Sequence, residues 1–210
     1  MKNNTKVNKR IKSTKKYVEA LVDNHSKLNV VRIDLGYRKD DSGNVNIPLE
    51  EANRDFKHMM NNRRGKPSIF KDMVGYIVKK EYTKDKGVHF HAAFIFDGQK
   101  VQNDSFKGEQ LGEYWKQITE GKGTHHNCNK DKKNYKELGI SMIEHNNTKK
   151  REILENKVLS YLCKDEQDIK PIKTNTKDKA FIRGTIPKKK SKVGRPRKKV
   201  DSKEEESNKL

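Results

Sequence analysis

The sequence predicts an α+β fold, a central antiparallel sheet with flanking helices, followed by a disordered basic tail. Two apolar, β-branched runs lie on either side of one short Gly-containing loop, the pattern of adjacent antiparallel strands. Stretches of helical spacing are interleaved with strands in mixed order, which favours α+β over a doubly wound parallel sheet. After Pro187 the apolar residues give out and lysines take over.

The elements follow in chain order. A basic amphipathic segment around Lys9 to Lys27 places Tyr17, Val18, Leu21 and Val22 on one side. Leu28 to Tyr37 reads as a first strand, and Arg32 and Tyr37 in it are either ordinary strand residues or contacts to a bound polymer. Pro48, a good first-turn residue, opens a helix to about Asn62, which ends before Arg63-Arg-Gly-Lys-Pro67. Met73–Tyr82 and Val88–Asp97 form the hairpin across Thr83–Gly87. A helix near Ser105 to Ile118 follows, with Tyr114 and Trp115 placed to pack in a core. A Gly-rich connection, a strand around Ile140 to Glu144, a helix from Asn147 to Asp165 and a last strand near Ala180 to Ile186 complete the set. The expected partition is a basic N-terminal segment with a helix (1–27), one domain (28–187) and a tail (188–210). No internal repeat is visible.

The hairpin carries the chemistry. Side chains alternate along a strand, so His89 and His91 share one face while Phe90, Ala92, Phe94 and Phe96 share the other. If Tyr82 pairs with Val88, Glu81 faces His89 with Cβ atoms about 5 Å apart. One carboxylate and two imidazoles then converge as metal ligands, with positions left for water and substrate. Mixed oxygen and nitrogen ligands suit Mg²⁺ or Mn²⁺ on a phosphate substrate; imidazoles alone also accept Zn²⁺. Taken alone, His-x-His is also what two polar residues on a half-exposed strand look like.

The helix after Asn147 has Asn and Thr as cap candidates and apolar residues at Leu154, Val158 and Leu162. Tyr161 falls one turn beyond Val158 on that stripe, and Lys164 shares its face. A tyrosine hydroxyl is a poor nucleophile at neutral pH, so it needs a polarised phosphate and a nearby cation. A lone Tyr-x-x-Lys is a core aromatic beside a solvated charge. After a Glu and a His-x-His in the same chain, it reads as a nucleophile.

Position 93 is Ala, where histidine-triad hydrolases continue to a third His. Neither His89 nor His91 has the Ser or Thr two residues on that two-histidine phosphoesterases need. Glu81, His89-Phe90-His91 and Tyr161-x-x-Lys164, in that order, resemble the metal ligands and nucleophilic motif of single-tyrosine HUH replication initiators of rolling-circle plasmids and single-stranded DNA viruses. More narrowly, Lys86-Gly-Val-His-Phe-His91, Leu111-Gly-Glu-Tyr-Trp115, Gly121-Lys-Gly-Thr-His-His-Asn-Cys-Asn129, Gly139-Ile-Ser-Met-Ile-Glu-His145 and Lys149 to Glu155 resemble the inovirus-type replication protein family, also described as the YagK/YfjJ C-terminal domain, of filamentous phages and prophages. The resemblance covers roughly residues 28 to 186. It implies an HUH endonuclease-like domain that nicks DNA and transfers strands through a 5′-phosphotyrosine link. Glu81, His89 and His91 would hold Mg²⁺ or Mn²⁺, Tyr161 would attack, and Lys164 would neutralise the reacting phosphate. The expected partners are single-stranded and duplex DNA of a replication origin, with host replication proteins. A non-catalytic DNA-binding regulator, or a transposase or relaxase with the same site chemistry, is the alternative.

Composition agrees with a polyanion partner. Lys and Arg number 49 against 29 Asp and Glu, a net charge of +20, which favours DNA binding through counterion release without choosing a sequence. The two cysteines, Cys128 and Cys163, are far apart, so no disulfide framework is expected. No apolar run approaches the roughly 20 residues of a membrane span, and the Lys- and Asn-rich start lacks a signal-peptide core. A cytoplasmic location with no membrane partner is expected. His125, His126 and Cys128 match no common zinc-knuckle spacing and read as polar loop residues or DNA contacts. In the tail, Gly194-Arg195-Pro196-Arg197-Lys198 resembles an AT-hook, which would place Arg195, Pro196, Arg197 and Lys198 in a minor groove. It lacks an Arg before Gly194, so plain electrostatic binding is the alternative.

Overall fold

The computed structural model describes residues 2–164 and 169–189. The AT-hook-like residues Arg195, Pro196, Arg197 and Lys198 lie outside the described residues, as does Asp165 at the expected helix end. Among the described residues six strands form one antiparallel sheet: β1 (Lys27–Tyr37), β2 (Met73–Thr83), β3 (Gly87–Asp97), β4 (Gly123–Asn127), β5 (Ser141–Glu144) and β6 (Phe181–Arg183). The order is β4-β1-β3-β2-β6, and β5 also pairs with β1. β4 takes Ile33–Tyr37 and β5 takes Lys27–Val30, so the two short strands lie end to end along one edge of β1.

Alternation on the long strands produces two cores. Val31, Ile33 and Leu35 of β1, Val78 of β2, and Phe90, Ala92, Phe94 and Phe96 of β3 point to one face. There they meet α2 (Leu49–Asn61), α3 (Pro67–Phe70) and α4 (Asp104–Ile118), with Phe56 stacked on Phe90 and Trp115 edge-on to it. Tyr114 and Trp115 are core residues as expected, and Tyr37 is too: its ring meets Trp115 and its hydroxyl donates to Asp55. On the opposite face Val30, Ile77, Ala93 and Ile95 are covered by α1 (Lys2–Asn24) through Tyr17, Val18, Leu21 and Val22. The helical stretch made of α5 (Thr148–Ile153), a π-helical turn (Leu154–Leu159) and α6 (Ser160–Cys163) completes that cover.

Three elements differ from the sequence expectation. β4 replaces part of the expected Gly-rich connection. It has no apolar run of its own and gains its strand form from pairing with β1 and from leaning on α4. There Gly112 leaves room for the His125 ring, which a Cβ would approach to 2.2 Å. The last strand is shorter than expected. The helix carrying Tyr161 is not uniformly α: bonds running i→i+5 add a residue to its middle turn, so Leu159 rather than Val158 is the next fully buried residue after Leu154. Tyr161 therefore leaves the inward stripe and is 42% exposed. The helix ends at Cys163, and Lys164 is extended rather than helical. Both cysteines are free and buried. Among the described residues no helix is long and apolar enough to cross a membrane.

Candidate metal centre

The face of the sheet under α1 and α6 is apolar at one end and polar at the other. Leucine and valine give way to Arg32 and Asp34 on β1, His89 and His91 on β3, and Lys79 and Glu81 on β2. The hairpin register is the one its turn demands, with Tyr82 opposite Val88 and Glu81 opposite His89. Gly87 closes the turn at a φ of 59°, where a Cβ would also strike Val45. Asp34 lies directly across from His91.

Both imidazoles are fixed through Nδ1. His89 Nδ1 lies 3.0 Å from the Gly87 carbonyl, and His91 Nδ1 lies 2.7 Å from Asp34 Oδ1. A carbonyl and an ionised carboxylate only accept, so both Nδ1 atoms carry hydrogen and each neutral ring turns a lone pair outward at Nε2. The Nε2 atoms face Glu81 Oε2 at 3.6 and 3.2 Å for His89 and His91. Oε2 is buried and has no hydrogen-bond partner. Three electron-rich atoms thus surround one point, with ligand atoms all within 4.8 Å of one another. A proton on His91 relieves part of that repulsion; a divalent cation at their centre relieves all of it, so the residues fit a metal ion.

Without an ion, the charged form of His91 offsets the same repulsion. Burial pushes the Glu81 carboxyl up, but the two imidazoles outweigh it and hold it down at about 2. Burial likewise pushes Asp34 up, and His91 and Arg32 pull it to about 2. Burial lowers His91, and the Asp34 and Glu81 carboxylates more than reverse this, leaving it above its ordinary value. Arg32, largely buried, donates to Asp34 and to the Ile33 carbonyl.

Tyr161 stands beside this centre, its ring centroid 5.8 Å from that of His91. Lys164 Nζ lies 6.0 Å from the Tyr161 ring centroid, so the two meet although Lys164 lies past the helix. Lys79, fully buried, donates to the Lys164 carbonyl and ties the end of α6 to the strand that carries Glu81. Two clefts of about 390 and 340 Å³ flank the centre, and Asp34 and His126 line both. His89 and His91 open onto the first; Tyr161, Tyr135 and Arg32 onto the second.

Sequence reasoning brought together Glu81, His89, His91, Tyr161 and Lys164, and it missed Asp34 and Lys79. The available signal was polar residues at alternate positions, Arg32 with Asp34 and Lys79 with Glu81, on the metal face of apolar strands. His125, His126 and Cys128 do not converge. His125 Nε2 meets Glu109 at 2.6 Å on α4, and His126 meets Asp131 at 3.2 Å. Glu109, Glu113 and His125 also lie close enough to share an ion, but Lys130 already occupies the Glu109 carboxylate.

The family model of the YagK/YfjJ C-terminal domain matches residues 1–181, and the chain belongs to that family. No curated protein and no solved structure matches it.

Proposed function

We propose that this YagK/YfjJ-family protein is a single-tyrosine HUH endonuclease and strand transferase that initiates rolling-circle replication of a phage- or prophage-like element. The observation that carries the reading is the hole bounded by Glu81 Oε2 and the two Nε2 atoms, with a half-exposed tyrosine against His91. Glu81, His89 and His91 would hold Mg²⁺ or Mn²⁺. When bound, the ion supplies Lewis-acid polarisation of the scissile phosphate.

The chain's own residues do the rest. Asp34 and the Gly87 carbonyl keep both imidazoles turned toward the centre. Tyr161 Oη loses its proton as it bonds to phosphorus, and the bond from phosphorus to the 3′ oxygen breaks, leaving a 5′-phosphotyrosine and a 3′-hydroxyl. Lys164, anchored through its carbonyl by Lys79, offsets charge on the phosphoryl oxygens. One phosphodiester is exchanged for another, so the link can be reversed to rejoin ends. Single-stranded DNA suits the paired clefts, because Tyr135 offers an exposed ring for base stacking beside Tyr161.

The test is covalent attachment. Purified protein with Mn²⁺ is incubated with single-stranded DNA from its own genomic neighbourhood and run on a denaturing gel. The parent should yield an adduct that maps to Tyr161, at one defined site on a replicon origin. Tyr161→Phe keeps the ring, so it should bind DNA within a few-fold of the parent and form no adduct. An adduct on another tyrosine, or none in the parent on any such strand, would sink the assignment. Scattered nick sites at element ends would instead favour a transposase.

A further inference from the structure

A second groove, of about 770 Å³, lies away from the metal centre, between α1 and β6. Lys6, Lys9 and Arg10 line it from α1, Lys170 and Lys173 from the 3₁₀ turn Lys170–Ile172 and its end, and Lys179 and Arg183 from around β6. Among the described residues Asp178 is the carboxylate in its lining, and it accepts from Asn53 at 3.0 Å. Among the described residues Lys6, Lys9, Lys173 and Lys179 outnumber that acid and give a surface for a polyanion.

The aromatic faces here are already taken. The Arg10 guanidinium lies 5.7 Å from the Phe181 ring centroid, and that of Arg183 lies 5.2 Å from the Tyr17 centroid. Arg183 is further fixed by Ser13 Oγ at 2.7 Å and the Gly184 carbonyl at 2.8 Å. Proteins that bind single strands combine cations with open stacking surfaces. This groove offers charge without them, whereas the clefts at the metal centre offer the exposed ring of Tyr135. Phosphates rather than bases are what it can hold, and stacked bases belong to a duplex.

The groove is tied to the elements that carry the candidate site. Arg10 donates to the carbonyl of Cys163, two residues from Tyr161, and β6 pairs with β2 through Phe181 opposite Lys79, two residues from Glu81. We propose that it grips the sugar-phosphate backbone of the duplex next to the cleaved single strand, without reading sequence. This rests on the strand-cleavage reading above.

The test is made in the full chain. One variant changes Lys6, Lys9, Lys173 and Lys179 to Gln; a control changes the exposed Lys57, Lys71, Lys100 and Lys149, removing the same charge elsewhere. Binding to a short blunt duplex and to one of its single strands is measured across a salt series, with adduct formation on the single strand alongside. The groove variant should bind duplex about tenfold or more weakly, and its slope of log K against log salt should fall by about 3 to 4, since each phosphate contact contributes about 0.9. The control should lose much less, and adduct formation should persist in both. Equal losses in groove variant and control would overturn the proposal, as would a larger loss on single strand than on duplex. A parent that forms no adduct while the groove variant alone loses duplex binding would refute the enzyme and keep the groove.

Discussion

Replacing Asp34 tests whether a carboxylate absent from the metal shell itself sets the shell's affinity. Asp34 Oδ1 accepts from His91 Nδ1 at 2.7 Å and receives Arg32 as well. Partners of this kind fix the tautomer of a ligating imidazole, and their loss typically costs about 10- to 100-fold in metal affinity. Asn keeps an acceptor oxygen for Nδ1 and removes only the charge, so Asp34→Asn should sit near the tenfold end; Asp34→Ala, which also strands the buried Arg32, should sit near the hundredfold end. At Mn²⁺ equal to 100 times the parent's Kd, binding stabilises the parent by about 2.7 kcal/mol, and a tenfold weaker site is stabilised by about 1.4 kcal/mol. For a chain of this size, the Mn²⁺-induced rise in melting temperature should drop from about 8 °C to about 4 °C. Titration calorimetry gives the affinity directly, and melting without metal separates a folding defect from a binding one. If Asp34→Ala binds Mn²⁺ like the parent while His91→Ala does not bind it, Asp34 does not orient His91, and the tautomer reasoning fails.

Asn129, fully buried, joins the point where β4 and β5 part: its Oδ1 accepts from the Arg32 N–H at 2.7 Å and its Nδ2 donates to Val30 O at 3.0 Å and Asp104 at 2.8 Å. Asn129→Ala should cost about 3 kcal/mol in urea unfolding, because several buried polar groups lose partners together; a loss under about 1 kcal/mol would show that water replaces the side chain. Burial pushes Asp104 up, but Ser141, Asn129 and Lys132 outweigh it and hold the carboxyl below its ordinary 3.8. A depressed carboxyl stabilises the fold above its unfolded pKa and loses that stabilisation as pH falls through its folded value. Melting curves should therefore show Asp104→Asn with a shallower loss of stability below about pH 4 than the parent; parallel curves would contradict the shift. Deleting residues 188–210 removes the eight cations between Lys188 and Lys199. It should weaken duplex binding and reduce its salt slope while adduct formation on a short single strand survives. A loss equal on A·T-rich and G·C-rich duplex would reduce the tail to plain charge.

The hairpin from Met73 to Asp97 was legible because its information is local. Period-two alternation assigns faces, and a turn closed by Gly87 fixes the register, so Glu81 opposite His89 followed from the sequence. Tyr114 and Trp115 were legible in the same way, as aromatic residues placed where a helix packs. Asp34 was not, since its partnership with His91 arises from β1 pairing with β3 across a separation of 57 residues. Nor was β4, whose Gly-Thr-His-His-Asn has no strand signature and is extended only because β1 offers an edge and α4 a glycine face. The π-helical turn decided that Tyr161 stands at the rim of the metal centre instead of in the core, a one-residue change of phase that composition does not record. Residue pattern determines which face of an element a side chain takes. Which faces then meet depends on pairing and packing between distant segments, and there the tertiary structure alone placed Asp34, Lys79 and the exposed tyrosine around one point.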